Sequence, residues 1–386
     1  MLTVLVVRLD SAGDVLLAGP AIRAVAGPAI PGHAATRRVV LLAGPRGEQA
    51  ARLLPGVDQI LTWHCPWVDP EPDPVHQDEV LRITDRLRAL DAGQAIILTS
   101  FHQDPLPTAL LLRMAGISHI TAACEDYPGS LLDVRHHLPE TGLHEVERML
   151  SVAAAAGFPA PEDTRLRLTT PLPDTTDTTT TGNPRVASLP ETGYVVVHPG
   201  ASVPARAPVP EACADYVKAL AGEGWPVVVT GSPAERELTR QVAGEHGIDL
   251  GGRTDLATLA AVLSGAAVVV TGNTGPAHLA AAVDTPVVSL FAPTVPLERW
   301  RPWGVPHVVL GAQDAPCAGT RARICPVEGH PCLATVSSCQ ITGAVRSLAA
   351  STARSEARDE KGKWGFAYED RDRLRARQPA CGAGRR

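Results

Sequence analysis

One short stretch of this 386-residue chain, Val268-Val269-Val270-Thr271-Gly272-Asn273-Thr274-Gly275-Pro276-Ala277-His278-Leu279-Ala280-Ala281-Ala282, combines an apolar run, a loop and a run of small residues. The apolar run predicts a buried strand ending at Thr271. A helix is predicted to follow, because Asn273 or Thr274 can cap it and Pro276 suits its first turn. Free amides at the start of a helix, together with its dipole, form an anion site suited to a diphosphate.

The same alternation of apolar strands and helices recurs along the chain in two series. The predicted strands are Leu2–Val7, Arg38–Leu42, Gln59–Thr62, Ala95–Thr99 and His119–Ala122, then Tyr194–His198, Pro226–Thr230, Ala267–Thr271, Pro286–Phe291 and His307–Leu310. This pattern predicts an α/β protein with two Rossmann-like, doubly wound parallel sheets. We predict halves at residues 1–170 and 193–350, an exposed Thr/Pro-rich linker at 171–192, and a charged, disordered tail at 351–386.

The composition and net charge indicate a globular protein that does not bind nucleic acid. Hydrophobic residues make up 45% and charged residues 20% of the chain, as in ordinary globular proteins. The net charge of −6 argues against a nucleic-acid partner, which requires a basic surface. Residues 354–386 hold 10 basic and 6 acidic side chains, so this tail is net +4 and the rest is net −10. Such a tail can contact an anionic membrane at most peripherally.

The sequence also carries information on compartment. Arg8, Asp10 and Asp14 interrupt the first apolar run, which is atypical of a secretory signal. The uncharged stretch 256–283 is long enough to span a bilayer, but a Gly- and Pro-containing loop lies within it, so we interpret it as helix, strand, loop and helix. The eight cysteines are interpreted as reduced thiols. We therefore predict a cytoplasmic protein.

The loop after the first strand, Arg8 to Asp14, contains the first candidate catalytic group. Gly13 allows a tight turn, and Asp14 then either caps the following helix or acts as a general base. Neither G-x-G-x-x-G after a strand nor G-x-x-x-x-G-K-[ST] occurs, which disfavours a nicotinamide oxidoreductase and a P-loop enzyme.

Three further candidates for anion or nucleotide binding follow strands of the second half. Gly200 and Ser202 allow backbone amides to approach an anion, and Arg206 either adds a positive charge or is a solvated side chain. His278 is either a phosphate donor or a core histidine. Glu235 either binds ribose hydroxyls or favours its helix N-terminus.

Taken together, these segments resemble glycosyltransferase family 9, the ADP-heptose:lipopolysaccharide heptosyltransferases. The matching residues are Arg8–Leu16 with Pro20–Arg23, His198–Ser202, Gly272–Ala282, Thr285–Val288 and Phe291–Thr294, and the similarity extends to about residue 345. The resemblance implies a GT-B architecture, with two Rossmann-like domains facing across a cleft and the nucleotide sugar held mostly by the C-terminal one. It also implies inversion at the anomeric carbon without an obligatory metal.

The resemblance assigns roles to individual residues. Asp14 corresponds to the family's proposed base, and Arg206 to a Lys or Arg that contacts the donor phosphates. Thr274, Gly275 and His278 match the diphosphate loop. Many members have Asp where this chain has Asn273, so donor recognition differs by one charge. We predict no cofactor, an ADP-heptose-like donor, and a glycolipid or glycan acceptor.

Acceptor contacts are expected from the first half. Gly13 and His102 are the candidates, with Tyr127–Ser130 and His144–Arg148 as weaker ones. No D-x-D follows a predicted strand, and Cys317, Cys325, Cys332 and Cys339 are spaced unlike a zinc knuckle, so we predict no metal site. Three alternatives remain open: a hexosyltransferase, a nucleotide-sugar epimerase and a non-catalytic nucleotide-sugar-binding protein.

Overall fold

The computed structural model of the chain describes residues 2–27, 37–139, 142–176 and 184–359. The described residues form two sheets, each of six parallel strands. The first contains β1 Leu2–Arg8, β2 Arg37–Ala43, β3 Gln59–Thr62, β4 Gln94–Ile97, β5 His119–Ala123 and β6 Val134–His136. The second contains β7 Tyr194–His198, β8 Val227–Val229, β9 Ile248–Asp249, β10 Ala266–Gly272, β11 Val287–Leu290 and β12 His307–Leu310.

The two sheets share one topology. Their strand orders are β3-β2-β1-β4-β5-β6 and β12-β11-β10-β7-β8-β9, which are equivalent when each half is numbered from its own first strand. In both sheets the order reverses between two central strands, β1 and β4 or β7 and β10. Ligands of such sheets bind at this switch point, outside the carboxyl ends of the strands. The predicted fold class, with two doubly wound parallel sheets, is confirmed.

Helices cover the faces of the sheets. In the first half they are α1 Ala12–Leu17, α2 Gly19–Ala26, α3 Glu48–Arg52, α4 Gln77–Arg88, α5 Leu106–Met114 and α6 Glu145–Ala155. The remaining helices are α7 Pro184–Ala187, α8 Pro210–Gly222, α9 Arg236–Ala243, α10 Leu256–Ser264, α11 Gly275–Ala282, α12 Leu297–Trp300, α13 Pro331–Ala334 and α14 Ser338–Asp359. The sequence pattern alone predicts one helix where α1 and α2 lie. The helix breaks there because Pro20 has no amide hydrogen to continue the hydrogen-bond ladder, and Pro20 instead lies in the first turn of α2.

The main apolar core runs through both halves. Leu16 and Ile22 of the first half belong to the same buried cluster as Leu263 and Leu279 of the second half. Each fully buried side chain of this size contributes roughly 1.5–3 kcal/mol to folding. The cleft is therefore bounded at its base by a shared apolar interface.

The linker expectation is wrong in one respect. Residues 184–192 belong to the predicted exposed linker, yet Val186 of α7 is completely buried in the shared core. A single apolar residue in a Thr- and Pro-rich stretch has no periodicity, so its burial could not be predicted from pattern.

The C-terminal end of the described chain is helical. Helix α14 packs against α8 and the second sheet and continues to Asp359, beyond the predicted boundary at residue 350. The rest of the predicted tail, residues 360–386, lies outside the described residues. None of the helices in the described chain combines the length and apolar character that a membrane crossing requires.

Candidate active site between the two switch points

Asp14 lies in the first turn of α1, directly beyond the carboxyl end of β1. Ser11, rather than Asp14, occupies the N-cap position, so the capping alternative for Asp14 is wrong. Asp14 Oδ1 accepts a hydrogen bond from Arg8 Nη2 at 3.1 Å, and Oδ2 accepts one from Ser11 Oγ at 2.7 Å. About a fifth of the side chain (21%) remains exposed, so the carboxylate is anchored and still open to the cleft.

The pKa of Asp14 is lowered from the ordinary aspartate value. Burial opposes ionisation, but the neighbouring Arg8 guanidinium and the Ser11 hydroxyl outweigh it, with smaller contributions from His278 and Arg206. The group is consequently ionised near neutral pH and able to accept a proton.

The two halves lie close to each other at two glycines, Gly13 and Gly275. A Cβ atom placed on Gly13 of α1 would lie 3.2 Å from Gly275 Cα and 3.2 Å from His278 Cδ2 of α11. These distances are tighter than ordinary van der Waals contact, so glycine at position 13 lets the two helix starts meet without displacing either of them. The carboxylate of one half therefore lies beside the helix N-terminus of the other.

The start of α11 differs in detail from the prediction. Thr274 occupies the N-cap position, and neither its side chain nor that of Asn273 caps the helix. Asn273 is buried, donates from Nδ2 to Ala292 O at 3.3 Å and accepts at Oδ1 from Ala292 N at 3.2 Å. The Asn273 side chain thus fixes the loop to the chain after β11. An aspartate could only accept at this position.

Arg206 and His278 present buried nitrogens near this loop. The carbonyl oxygen of Arg206 would lie 2.6 Å from a Cβ on Gly272, which packs the Arg206 turn against the end of β10. Arg206 Nε and His278 Nδ1 are buried and have no hydrogen-bond partner among the described residues. Burial lowers the pKa of His278 to about 4, so the ring is neutral and keeps one N–H donor.

Gly200 and Glu235 form a second contact in the donor half. A Cβ on Gly200 would lie 2.0 Å from Glu235 Oε1, so glycine makes room for that carboxylate. Glu235 Oε2 accepts a hydrogen bond from Ser232 N at 2.7 Å, which makes Glu235 part of a capping box. Ser202 lies on the exposed side of the same loop as Gly200.

A cavity of about 580 Å³ opens in the first half, beyond the ends of β4 and β5. His102 lines it, together with Phe101, Arg148 and Arg299. Burial and the nearby Arg321 lower the pKa of His102, against the opposing charge of Asp14. Asp14 is not among the residues that line this cavity, but its charge is close enough to act on His102.

The weaker acceptor candidates have different surroundings. Tyr127 is 86% exposed and lies outside the residues that line the cavity. His144 is completely buried, accepts a hydrogen bond from Val146 N at the start of α6, and lies 2.9 Å from Arg301 O of the other half. His144 is therefore a structural residue of the interface between the halves.

The cysteine prediction requires one correction. Cys317, Cys325 and Cys332 are free thiols, but Cys339 is disulfide-bonded. The prediction of reduced thiols is therefore wrong for Cys339, since the spacing of cysteines carries no information on their pairing. Burial raises the pKa of Cys332 to about 12, and a protonated thiol is a poor metal ligand. Among residues 2–27, 37–139, 142–176 and 184–359, no group of three or more His, Cys, Asp or Glu side chains could hold a metal ion.

Two features of the site escaped sequence reasoning. The sequence predicts no role for Arg8, yet this residue is completely buried and contacts Asp14. Arg299 and Arg321 come from the second half and lie over the Phe101 ring, with guanidinium-to-centroid distances of 4.5 and 4.7 Å. The charge of Arg8 inside an apolar strand was a usable signal, whereas the Phe101 contacts join residues about two hundred positions apart.

Comparisons with known proteins identify the family and the fold of the chain. A family model described as glycosyltransferase family 9 (heptosyltransferase) matches residues 80–330. The segment around Asp14 precedes this match. Lipopolysaccharide heptosyltransferase 1 of Pseudomonas aeruginosa is 39% identical over 116 residues, which is 30% of this chain and 32% of that protein. The aligned part thus spans about a third of such curated relatives.

Solved structures share the fold over most of the chain. ADP-heptose lipopolysaccharide heptosyltransferase II of Escherichia coli superposes with a TM-score of 0.70 at 20% identity, covering 91% of this chain and all (100%) of that one. Heptosyltransferase WaaC of Escherichia coli, solved with ADP-2-deoxy-2-fluoro heptose, gives 0.63 at 20% identity and covers 90% of this chain and 99% of that one.

Proposed function

The chain belongs to glycosyltransferase family 9, and we propose that it is an inverting, metal-independent glycosyltransferase. Its donor is a nucleotide-diphosphate sugar resembling ADP-heptose, and its acceptor is a hydroxyl of a glycolipid or glycan. The name of the Pseudomonas relative and the ligand of the WaaC structure support this choice of substrates. Asp14 is the catalytic base, and Gly13 and His102 lie on the acceptor side.

One observation carries the proposal. An ionised carboxylate of one half, Asp14, lies directly across the Gly13–Gly275 contact from an uncapped helix N-terminus of the other half. A base and an anion site at this separation can serve the two ends of one displacement, in which a hydroxyl attacks and a diphosphate leaves.

The proposed reaction is a single displacement at the anomeric carbon. The acceptor hydroxyl gives its proton to Asp14 as its oxygen forms a bond to the anomeric carbon of the sugar. The bond from that carbon to the diphosphate oxygen breaks, and the electron pair leaves with the nucleotide diphosphate. Attack from the side opposite the leaving group inverts the anomeric centre.

Neutralising the leaving group falls to the second half. The start of α11 offers backbone amides and the positive end of its dipole, and Arg206 and His278 bring nitrogens that have no hydrogen-bond partner within the described residues. Each such donor contributes about 3 kcal/mol to transition-state stabilisation, by analogy with oxyanion holes. In this scheme protein donors perform the charge neutralisation that a metal performs in other transferases. Gly200, Ser202, Glu235 and Asn273 complete the donor side.

The acceptor enters through the cavity lined by His102. Its volume, about 580 Å³, suits one or two sugar rings. We place the reaction in the cytoplasm, with at most peripheral membrane contact, because a soluble nucleotide sugar must there meet a lipid-linked acceptor.

Replacing the base tests the proposal. We expect Asp14→Asn to reduce transfer from ADP-heptose by at least about a hundredfold, as for loss of a general base, while ADP binds with unchanged affinity in calorimetry. Asp85→Asn, on the exposed face of α4, is the matched control and should transfer normally. Unimpaired turnover by Asp14→Asn would refute the assignment of the base.

A donor panel separates the alternatives. ADP-, GDP-, UDP- and dTDP-sugars are compared by thermal shift and product analysis, since a ligand at a hundred times its Kd stabilises by about 2.7 kcal/mol. Transfer of a hexose would identify a hexosyltransferase, and an epimerised sugar without transfer an epimerase. Binding without any product would identify a nucleotide-sugar-binding protein.

A further inference from the structure

Arg8 is a completely buried cation at the carboxyl end of β1. Its guanidinium donates from Nη1 to Leu98 O at 3.1 Å, and from Nη2 to Ser100 Oγ and Asp14 Oδ1, both at 3.1 Å. Burying an arginine is unfavourable unless its charge and its N–H groups are satisfied. The Arg8 side chain thus ties the chain after β4 to the carboxylate of Asp14.

A second carboxylate shares the same guanidinium. Asp10 Oδ2 lies 3.3 Å from Arg8 Nε, and Asp10 Oδ1 accepts a hydrogen bond from Gln103 Nε2 at 2.5 Å. One acidic partner would suffice to neutralise a buried arginine. Two acids around one cation leave a net negative cluster, which is a costly arrangement for a purely structural role.

We propose that Arg8 is a positioning residue that holds Asp14 ionised and correctly oriented, and that Asp10 limits this effect by competing for the same guanidinium. The inference rests on the proposed function, in which Asp14 is the base. A base needs to be ionised, but one that is too acidic takes a proton poorly. The balance of Asp10 against Arg8 sets Asp14 between these limits.

Other charged groups face the cluster from neighbouring elements. Glu145 of α6 is completely buried and acts on Arg8 and Asp10 through its charge, and is itself 3.6 Å from Arg148 and 3.5 Å from Arg299. His278 and Arg206 face Asp14 from the second half. The Arg8 and Asp10 variants retain all of these groups in their sequence, so they act on Asp14 in every variant compared.

The titration of the two acids has the expected asymmetry. Burial raises the pKa of Asp10 despite Arg8, whereas the pKa of Asp14 is lowered because Arg8 and Ser11 outweigh its burial. When Asp14 takes the acceptor proton, its bond to Arg8 weakens and the guanidinium keeps Asp10 as its counter-ion. The buried cation is therefore neutralised both before and after the proton transfer.

Two substitutions should move the titration of Asp14 in opposite directions. Arg8→Gln removes the cation, so the pKa of the Asp14 carboxyl and the acid limb of the pH profile of kcat/KM should both shift upward by about one pH unit. Asp10→Asn keeps a partner for Gln103 but removes the competing charge, so both should shift downward. Arg8→Lys restores the positive charge without the planar set of guanidinium N–H donors. It should return the acid limb of kcat/KM toward the wild-type position but leave kcat reduced, with the KM for the donor within about twofold of the wild-type value.

The readout combines kinetics with carbon-13 NMR of labelled aspartate, in which the Asp14 signal is identified by its loss in Asp14→Asn. Arg113→Gln is the matched control, because Arg113 also joins backbone carbonyls to an aspartate, Asp133, but outside the cleft. In the Arg113→Gln variant, the pKa of Asp14 should equal that of the wild type.

The results separate this inference from the proposed function. An Asp14 carboxyl that titrates identically in wild type, Arg8→Gln and Asp10→Asn would overturn the positioning role, whatever the activity. If Arg8→Gln does not fold, Asp10→Asn alone decides by the direction of its shift. Absence of transfer with every donor would refute the proposed function, while the NMR titration would still test Arg8 and Asp10.

Discussion

Arg206 and His278 each bring to the cleft a buried nitrogen that has no hydrogen-bond partner in the described parts of the chain. A buried polar group without a partner destabilises the protein by about 1–3 kcal/mol. Such groups concentrate where a ligand completes them. Their position beside the start of α11 is the residue-level signature of an anion site.

Replacing Arg206 should therefore separate stability from binding. We expect Arg206→Met to weaken ADP binding about tenfold to a hundredfold, because a charge-assisted hydrogen bond contributes about 1.5–3 kcal/mol. The same change should leave the melting temperature equal or higher, since it removes a partly desolvated cation whose pKa burial lowers.

Calorimetry with ADP and a thermal melt measure both effects of Arg206→Met. Arg46→Met, an exposed arginine of the first half, is the control and should change neither quantity. If Arg206→Met binds ADP with wild-type affinity, the assignment of Arg206 to the donor site is wrong.

At the scale of elements, the start of α6 connects the two halves. His144 and Glu147 form a capping box there, with His144 N donating to Glu147 Oε2 at 2.8 Å. The His144 ring also stacks on Trp303 of the other half at 4.6 Å between centroids and lies 2.9 Å from Arg301 O. The His144 side chain thus caps the start of α6 and also contacts the other half.

Two substitutions at this position should differ in effect. His144→Ala removes the cap and the bond to Arg301 O, and we expect it to lower the free energy of unfolding by about 3 kcal/mol. His144→Asn can still cap α6, so about half of that loss is expected. Urea denaturation of both variants measures the difference, and equal losses would contradict the capping contribution.

The elements differ in how well sequence predicts them. Valine-rich strands such as β7 and β10 were predicted to within one residue, because both faces are buried and the run is continuous. The edge strands β6 and β9 were missed, since they have only three and two residues and partly exposed side chains. The sequence pattern does not predict helices α6 and α14, because their polar residues obscure the periodicity.

At the scale of the whole molecule, burial of histidines in the interface makes stability depend on pH. Burial lowers the pKa of His144 to about 3 and that of His278 to about 4. The unfolded chain, with histidine pKa values near ~6.5, binds more protons than the folded chain between these values. Stability is therefore complete above pH ~6.5 and lost progressively as the pH falls toward 4.

We expect the free energy of unfolding to fall by about 3 kcal/mol for each of these histidines between pH 7 and pH 4, since one pKa unit corresponds to about 1.4 kcal/mol. A variant with His144→Gln and His278→Gln should be less stable at pH 7 but show a flatter dependence on pH. Urea denaturation of the wild type and the variant at several pH values between 7 and 4 measures this pH dependence of the free energy of unfolding. His246→Gln, a surface control, should keep the wild-type slope.

The candidate site was predictable to the extent that it follows topology. Asp14, Gly200 and Gly275 follow strands that flank a switch point, so a rule about sheets was enough to select them. The stacking of Arg299 and Arg321 on Phe101, and the pairing of Arg8 with two acids, depend on contacts between distant parts of the chain. No local pattern encodes such contacts.

The contact between Gly13 and Gly275 has a mechanical consequence. Because Gly13 has no side chain, the backbone of α1 lies against the start of α11, where a Cβ on Gly13 would be only 3.2 Å from Gly275 Cα. A larger side chain at position 13 would therefore press the two helix starts apart and lengthen the path between the Asp14 carboxylate and the amides at the start of α11.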